Sequence, residues 1–140
     1  MSYLIDTCVV SELRKPIPQD SVLTWFQACD EKDIYISSLS LGELRYGISI
    51  LPGGKRRNDL QIWFNELVEA FTGRILPVRE GISIIWGNMR AKAQKSGLSL
   101  PVIDGLIAAT AEAHQMILVT RNTDDVGTTG IPILNPWHQG

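Results

Sequence analysis

The stretch Tyr3-Leu4-Ile5-Asp6-Thr7-Cys8-Val9-Val10-Ser11-Glu12-Leu13 decides the fold. Tyr3 to Ile5 is a short run of strand formers that stops at a carboxylate, and Thr7 then opens a helical pattern. The same grammar recurs along the chain. Short apolar runs at Ile34 to Ser37, around Ile75 to Val78, at Met116 to Thr120 and at Ile131 to Leu134 read as further strands. Strands so uniformly apolar suit a parallel sheet covered on both faces. Between them lie amphipathic stripes: Leu60, Trp63, Phe64, Leu67 and Phe71, then Ile82, Ile85, Trp86, Met89 and Ala93. Ser21 reads as the opening of another helix, with Val22, Trp25, Phe26 and Cys29 inward, and Leu41, Leu44, Ile48 and Leu51 mark one more.

Turn chemistry at Pro16-Ile17-Pro18, Pro52-Gly53-Gly54, Gly97 and Gly127 to Gly130 separates these elements. Alternating strands and helices predict an α/β/α sandwich: a central parallel sheet of about five short strands flanked by helices, in a single domain over residues 1–140. Right-handed crossovers would gather the loops leaving the strand C-termini at one edge of the sheet, where ligands of such folds bind.

The balance of 44% hydrophobic and 20% charged residues is that of a folded globular chain and excludes a disordered or fibrous one. A net charge of -2 argues against a domain that grips nucleic acid by bulk electrostatics, so any such contact must be local or bridged by a cation. Cys8 and Cys29 are too few for a disulfide scaffold or a zinc site. With neither a signal-peptide pattern nor an apolar run of membrane-spanning length, a reducing cytoplasm is the expected location.

Four acids fall where strands end and helices begin: Asp6, Glu43, Asp104 and Asp125. Each admits a local explanation. Asp6 can cap a helix, and Ser40-Leu41-Gly42-Glu43 reads as a capping box. Asp104, just after Pro101, complements a helix dipole, and Asp124 or Asp125 is a common turn residue. Local explanations do not account for several strand ends at one edge each delivering a carboxylate, with Thr120 and Asn122 alongside. Two carboxylates about 4 Å apart repel by roughly 1 kcal/mol in water and about 4 kcal/mol at an effective dielectric near 20. Convergence of all four would therefore call for a divalent cation.

Several motifs carry a family resemblance. Leu4-Ile5-Asp6-Thr7 with Ser11-Glu12-Leu13, Ser38 to Gly47 with its Glu43-Leu44-Arg45-Tyr46-Gly47, Pro101-Val102-Ile103-Asp104, and Leu118 to Asp125 resemble the successive motifs of PIN domains. Within that superfamily the chain is most similar to the VapC and FitB-like toxins of bacterial toxin-antitoxin pairs. Ile133-Leu134-Asn135-Pro136-Trp137 completes the likeness, which covers nearly the whole chain. Two positions depart from the pattern. Cys8 stands where the group usually has Asn, and Asp125-Val126, preceded by Asp124, stands where it usually has Asp-Phe.

The resemblance implies a Mg²⁺- or Mn²⁺-dependent endoribonuclease. Asp6, Glu43, Asp104 and Asp125 would be its metal-binding and catalytic acids, with Thr7, Thr120 and Asn122 orienting the site or binding substrate. It also implies an RNA substrate, a homodimer, and a VapB-like antitoxin that masks the acids with a basic or bulky side chain. Lys55, Arg56, Arg57, Arg45, Arg90, Lys92 and Lys95 could track phosphates, although helical solvent faces explain them equally. Trp25, Trp63 and Trp86 sit in helical stripes as core or interface residues. Two other classes compete with the nuclease: an α/β phosphatase or phosphoacceptor domain using Asp6 as nucleophile, and a non-catalytic binding module.

Overall fold

The computed structural model describes residues 1–138. Five parallel strands form one sheet: β1 (Tyr3–Ile5), β2 (Ile34–Ser37), β3 (Ile75–Leu76), β4 (Ile117–Val119) and β5 (Ile133–Leu134). Their order is β3-β2-β1-β4-β5. The register pairs Leu4 with Tyr35 on one side and with Leu118 on the other. The two outermost strands are shorter than their apolar runs suggest. Pro77 follows Leu76 and Pro132 precedes Ile133, and neither can donate to a ladder, so pairing is confined to the residues between.

Among the described residues seven α-helices accompany the strands: α1 (Thr7–Arg14), α2 (Asp20–Ala28), α3 (Ser38–Ser49), α4 (Lys55–Ala70), α5 (Glu80–Lys95), α6 (Val102–Ala113) and the single turn α7 (Thr123–Val126). Alternation along the strands divides the core. Leu4 and Leu118 face α5 and α6, where Ile82, Met89, Ala93 and Ile107 meet them. Ile5, Ile34, Ile36 and Val119 face the opposite layer, packed with Val9, Val22, Trp25 and Leu44.

Two helix starts differ from the sequence expectation. The helix around Trp25 begins at Asp20 behind Gln19, with no side-chain cap, and Ser21 Oγ is buried without a partner. In α3 the cap is Ser37, whose hydroxyl accepts from Leu39 N at 3.1 Å, so Ser40 and Glu43 lie inside the helix and form no capping box. Ser37 ends β2 in extended geometry, and a hydroxyl there satisfies an orphan N–H at once. Helix α4 buries none of its residues fully. Its Leu60, Trp63, Phe64 and Leu67 stripe is half-buried, which leaves a groove beneath it.

Candidate active site

Strand order sets the position of the site. The chain leaves β1 toward β2 on one side, whereas β4 connects to β5 on the other, so the sheet's switch point lies between β1 and β4. Crevices in open parallel sheets form just beyond the strand C-termini at such a point. Asp6 follows β1 and Thr120 follows β4, and the Thr120 hydroxyl donates to Asp6 Oδ2 at 2.8 Å across that crevice. Asp6 N donates to Val119 O at 2.9 Å, extending the ladder to the carboxylate itself.

Asp6 is 5% exposed and fully engaged. As the cap of α1 its Oδ1 accepts from Thr7 N at 2.8 Å, which places the carboxylate at the positive end of the helix. Thr7 turns the other way. Its hydroxyl donates to Glu43 Oε1 at 2.6 Å and lies 3.0 Å from Ser40 Oγ, joining α1 to α3. Ser40, fully buried, backs the pair; sequence reasoning had assigned it to a cap, and its place one turn before Glu43 on the same helix face was the available signal. Thr120 in turn accepts from Asn122 N at 3.0 Å, so Asn122 contributes to this network through its backbone.

Asp104 arrives from the other layer, in the first turn of α6. The next residue, Gly105, explains how close α6 comes: a Cβ there would meet Trp86 Cδ1 and Leu100 Cδ2 at 3.0 Å. Glycine thus lets α6, with Asp104 in its first turn, seat closely against α5. Its carboxyl is pushed up to about 6 by burial and by the charges of Asp6, Asp125 and Glu43, in that order. All four acids therefore share one electrostatic neighbourhood. Asp125 is the member of the late acidic pair whose charge Asp104 feels; Asp124 exerts no such effect.

No cation answers these charges. Among the described residues the ion pairs engage Glu12, Asp30, Asp59 and Glu31, and none of the four clustered acids. Nor do three described His, Cys, Asp or Glu side chains close into a ready ligand shell. The donors are all hard oxygens, with no His or thiolate among the four acids, a set that fits Mg²⁺ or Mn²⁺ better than softer metals.

Cys8 lies at the back of the crevice, with Sγ 3.7 Å from Asp6 Oδ2 and 3.7 Å from Thr120 Oγ1. Burial, then the Asp6 charge, raise its thiol above the ordinary value, so it stays protonated and acts as a weak donor. Thr120 is the shorter, stronger donor to Asp6.

Comparison with known proteins agrees with this architecture. The chain is 35% identical over 136 residues to the toxin FitB of Neisseria gonorrhoeae, covering 96% of this chain and 98% of that protein. It is 38% identical over 135 residues to the VapC ribonuclease Y4jK of Sinorhizobium fredii, covering 96% of each. The solved structure of FitAB bound to an IR36 DNA fragment superposes with a TM-score of 0.93 at 34% identity, covering 99% of this chain and 97% of that one. The PIN domain family model matches residues 3–126, and the chain belongs to the PIN domain family.

Proposed function

We propose that this chain is a divalent-metal-dependent endoribonuclease and the toxin of a toxin-antitoxin pair. The observation that carries the reading is the grouping around Asp104: a half-buried carboxyl pushed up to about 6 by its burial and by the charges of Asp6, Asp125 and Glu43, with no basic side chain paired to any of the four among the described residues. Asp6, Glu43 and Asp104, with Asp125 at the rim, would hold one or two Mg²⁺ or Mn²⁺ ions. Bound there, the cation would offset the repulsion, accept a phosphate oxygen and acidify a water for attack on phosphorus.

The remaining tasks belong to the chain itself. Thr120 and the Thr7 amide fix both oxygens of Asp6, so its position is set before any ligand arrives. Thr7 holds Oε1 of Glu43, and no described residue hydrogen-bonds Oε2. Asn122 steadies Thr120 through its amide. Removing any of these supports should loosen the acids rather than remove one.

An antitoxin partner follows from the kinship with FitB and with the FitAB complex. A partner's guanidinium placed among the acids would relieve the same repulsion as a metal and exclude substrate. Tyr46 near the end of α3 and Ile50 at its C-cap, 68% and 64% exposed, would supply an apolar face for a homodimer. Residues 1–140 are read as one domain acting in the cytoplasm; no helix among the described residues is long and apolar enough to cross a membrane.

The test is cleavage of RNA with and without Mg²⁺ or Mn²⁺ by wild type, Asp6→Asn and Asp104→Asn. Metal-dependent cleavage by wild type alone is expected. Undiminished cleavage by either variant would refute the ligand roles. Phosphatase turnover with an acyl-phosphate trapped on Asp6 would transfer the chain to the competing class.

A further inference from the structure

Glu43 and Asp6 enter the acid cluster with different freedom. Asp6 is locked by burial, whereas Glu43 stands exposed on α3, and a long flexible side chain is costly to hold in one place. Among the described residues a single hydrogen bond restrains its carboxylate, the one from the Thr7 hydroxyl to Oε1 at 2.6 Å. Thr7 also gives its backbone N–H to Asp6 Oδ1, so what orients Thr7 sets the second acid relative to the first. Its hydroxyl has a single proton but two oxygen neighbours, Glu43 Oε1 and, at 3.0 Å, Ser40 Oγ. An ionised carboxylate only accepts, so that proton belongs to Glu43, and Ser40 must be the donor to Thr7.

Ser40 has no competing use for its hydroxyl. A helical serine or threonine often donates to the carbonyl one turn back, and Thr110, equally buried in α6, does so to Leu106 O at 2.8 Å. Buried Ser37 is engaged as the cap of α3. Ser40 does neither: it is fully buried, so it cannot turn to water, and its only hydrogen bond among the described residues crosses from α3 to Thr7 on α1. Local sequence arranges this, because β2 ends at Ser37 and starts α3 so that Ser40 and Glu43, three residues apart, share one helix face. We propose that Ser40 is a positioning residue for the metal site: by donating to Thr7 it directs the Thr7 proton onto Glu43 Oε1 and holds that carboxylate with Oε2 free for a cation. The inference rests on the divalent-metal reading of the acids and extends it to a residue that itself touches no carboxylate. Hydroxyls in series polarise one another in the same sense, so the bond behind Thr7 strengthens the bond in front of it.

Calorimetric titration with Mn²⁺, paired with RNA cleavage measured across Mn²⁺ concentrations, tests the assignment. Ser40→Ala should fold, since alanine is smaller and the best helix former. It should weaken Mn²⁺ binding about tenfold and raise the Mn²⁺ concentration for half-maximal cleavage by the same factor, with kcat at saturating Mn²⁺ within about threefold of wild type. Thr7→Val should weaken binding at least as much, and adding Ser40→Ala to it should cost nothing further, because Ser40 acts only through Thr7. Thr110→Val deletes an equally buried hydroxyl that faces its own helix, and should leave Mn²⁺ affinity unmoved whatever it does to the melting temperature. Wild-type affinity in Ser40→Ala, independent and additive losses in the double variant, or an equal loss in Thr110→Val would each overturn the positioning role and leave the metal reading standing. A wild type that binds no Mn²⁺ would overturn both.

Discussion

Asp6 and Asp104 are carboxylates of the same cluster held in opposite ways. Asp6 is the more deeply buried, yet it receives a backbone N–H, a hydroxyl and the N-terminus of α1. Asp104 is half-buried in the first turn of α6, with burial and three neighbouring charges all raising its carboxyl. One acid is anchored by the fold and the other is set against it. A site can therefore keep its geometry through the first and store its demand for a cation in the second.

Replacing the anchored acid should do the most damage. Asp6→Ala removes the cap of α1 and strands the buried Thr120 hydroxyl, which should cost about 2 to 4 kcal/mol in denaturant unfolding. RNA cleavage should fall by at least about a hundredfold. Retention of full stability would show that Asp6 is not the anchor.

Asp104→Asn should match that loss of activity while stabilising the metal-free protein. Raised from 3.8 to about 6, the native carboxyl keeps its proton where the unfolded chain has released its own. Wild-type stability without metal should therefore decline as pH climbs through that window. The variant's advantage in melting temperature should be absent near pH 4, grow toward pH 6 and stay level above it. A variant that melts lower than wild type at pH 7.5 in chelator would reverse the assignment.

Gly105→Ala attacks the seat of Asp104 without touching its charge. The added methyl presses on Trp86 and Leu100, and overpacking of this kind costs about 1 to 3 kcal/mol. Movement of α6 should also reduce cleavage about tenfold, because small misplacements of positioned groups are costly. Full activity in a destabilised variant would show that Asp104 tolerates movement.

The smallest effect belongs to Cys8. Its contacts to Asp6 and Thr120 are long, so Cys8→Ser should shift stability by less than about 1 kcal/mol and activity by less than about threefold. Its raised thiol should react with iodoacetamide more slowly at pH 8 than a free cysteine would. Fast labelling would mean the crevice opens more than its hydrogen bonds imply.

Most of the frame was legible because strand runs and carboxylates are local signals. Apolar runs located all five strands among the described residues, but only Asp6 directly follows one: Glu43 lies inside α3, Asp125 in α7, and Asp104 in α6, which follows α5 and not a strand. The supports were harder to see. Nothing near Thr120 in the sequence announces that its hydroxyl crosses the sheet to Asp6, since that contact depends on β1 and β4 being neighbours, a property of strand order. Ser40 was misread because a serine three residues before a glutamate is the pattern of a capping box, whereas the end of β2 had already placed Ser37 at the cap. Spacing alone leaves the choice between Asp124 and Asp125 open, since both fall in the single turn α7.

The decisive measurement is a calorimetric titration of Mn²⁺ into wild type and Asp104→Asn at pH 7.5, each followed by its melting temperature. Saturable binding to wild type is expected, with about 2.7 kcal/mol of stabilisation at 100 times the dissociation constant, and with both signals largely lost in the variant. Equal binding by the two proteins, or no binding by wild type, would contradict the claim that these four acids converge to hold a cation.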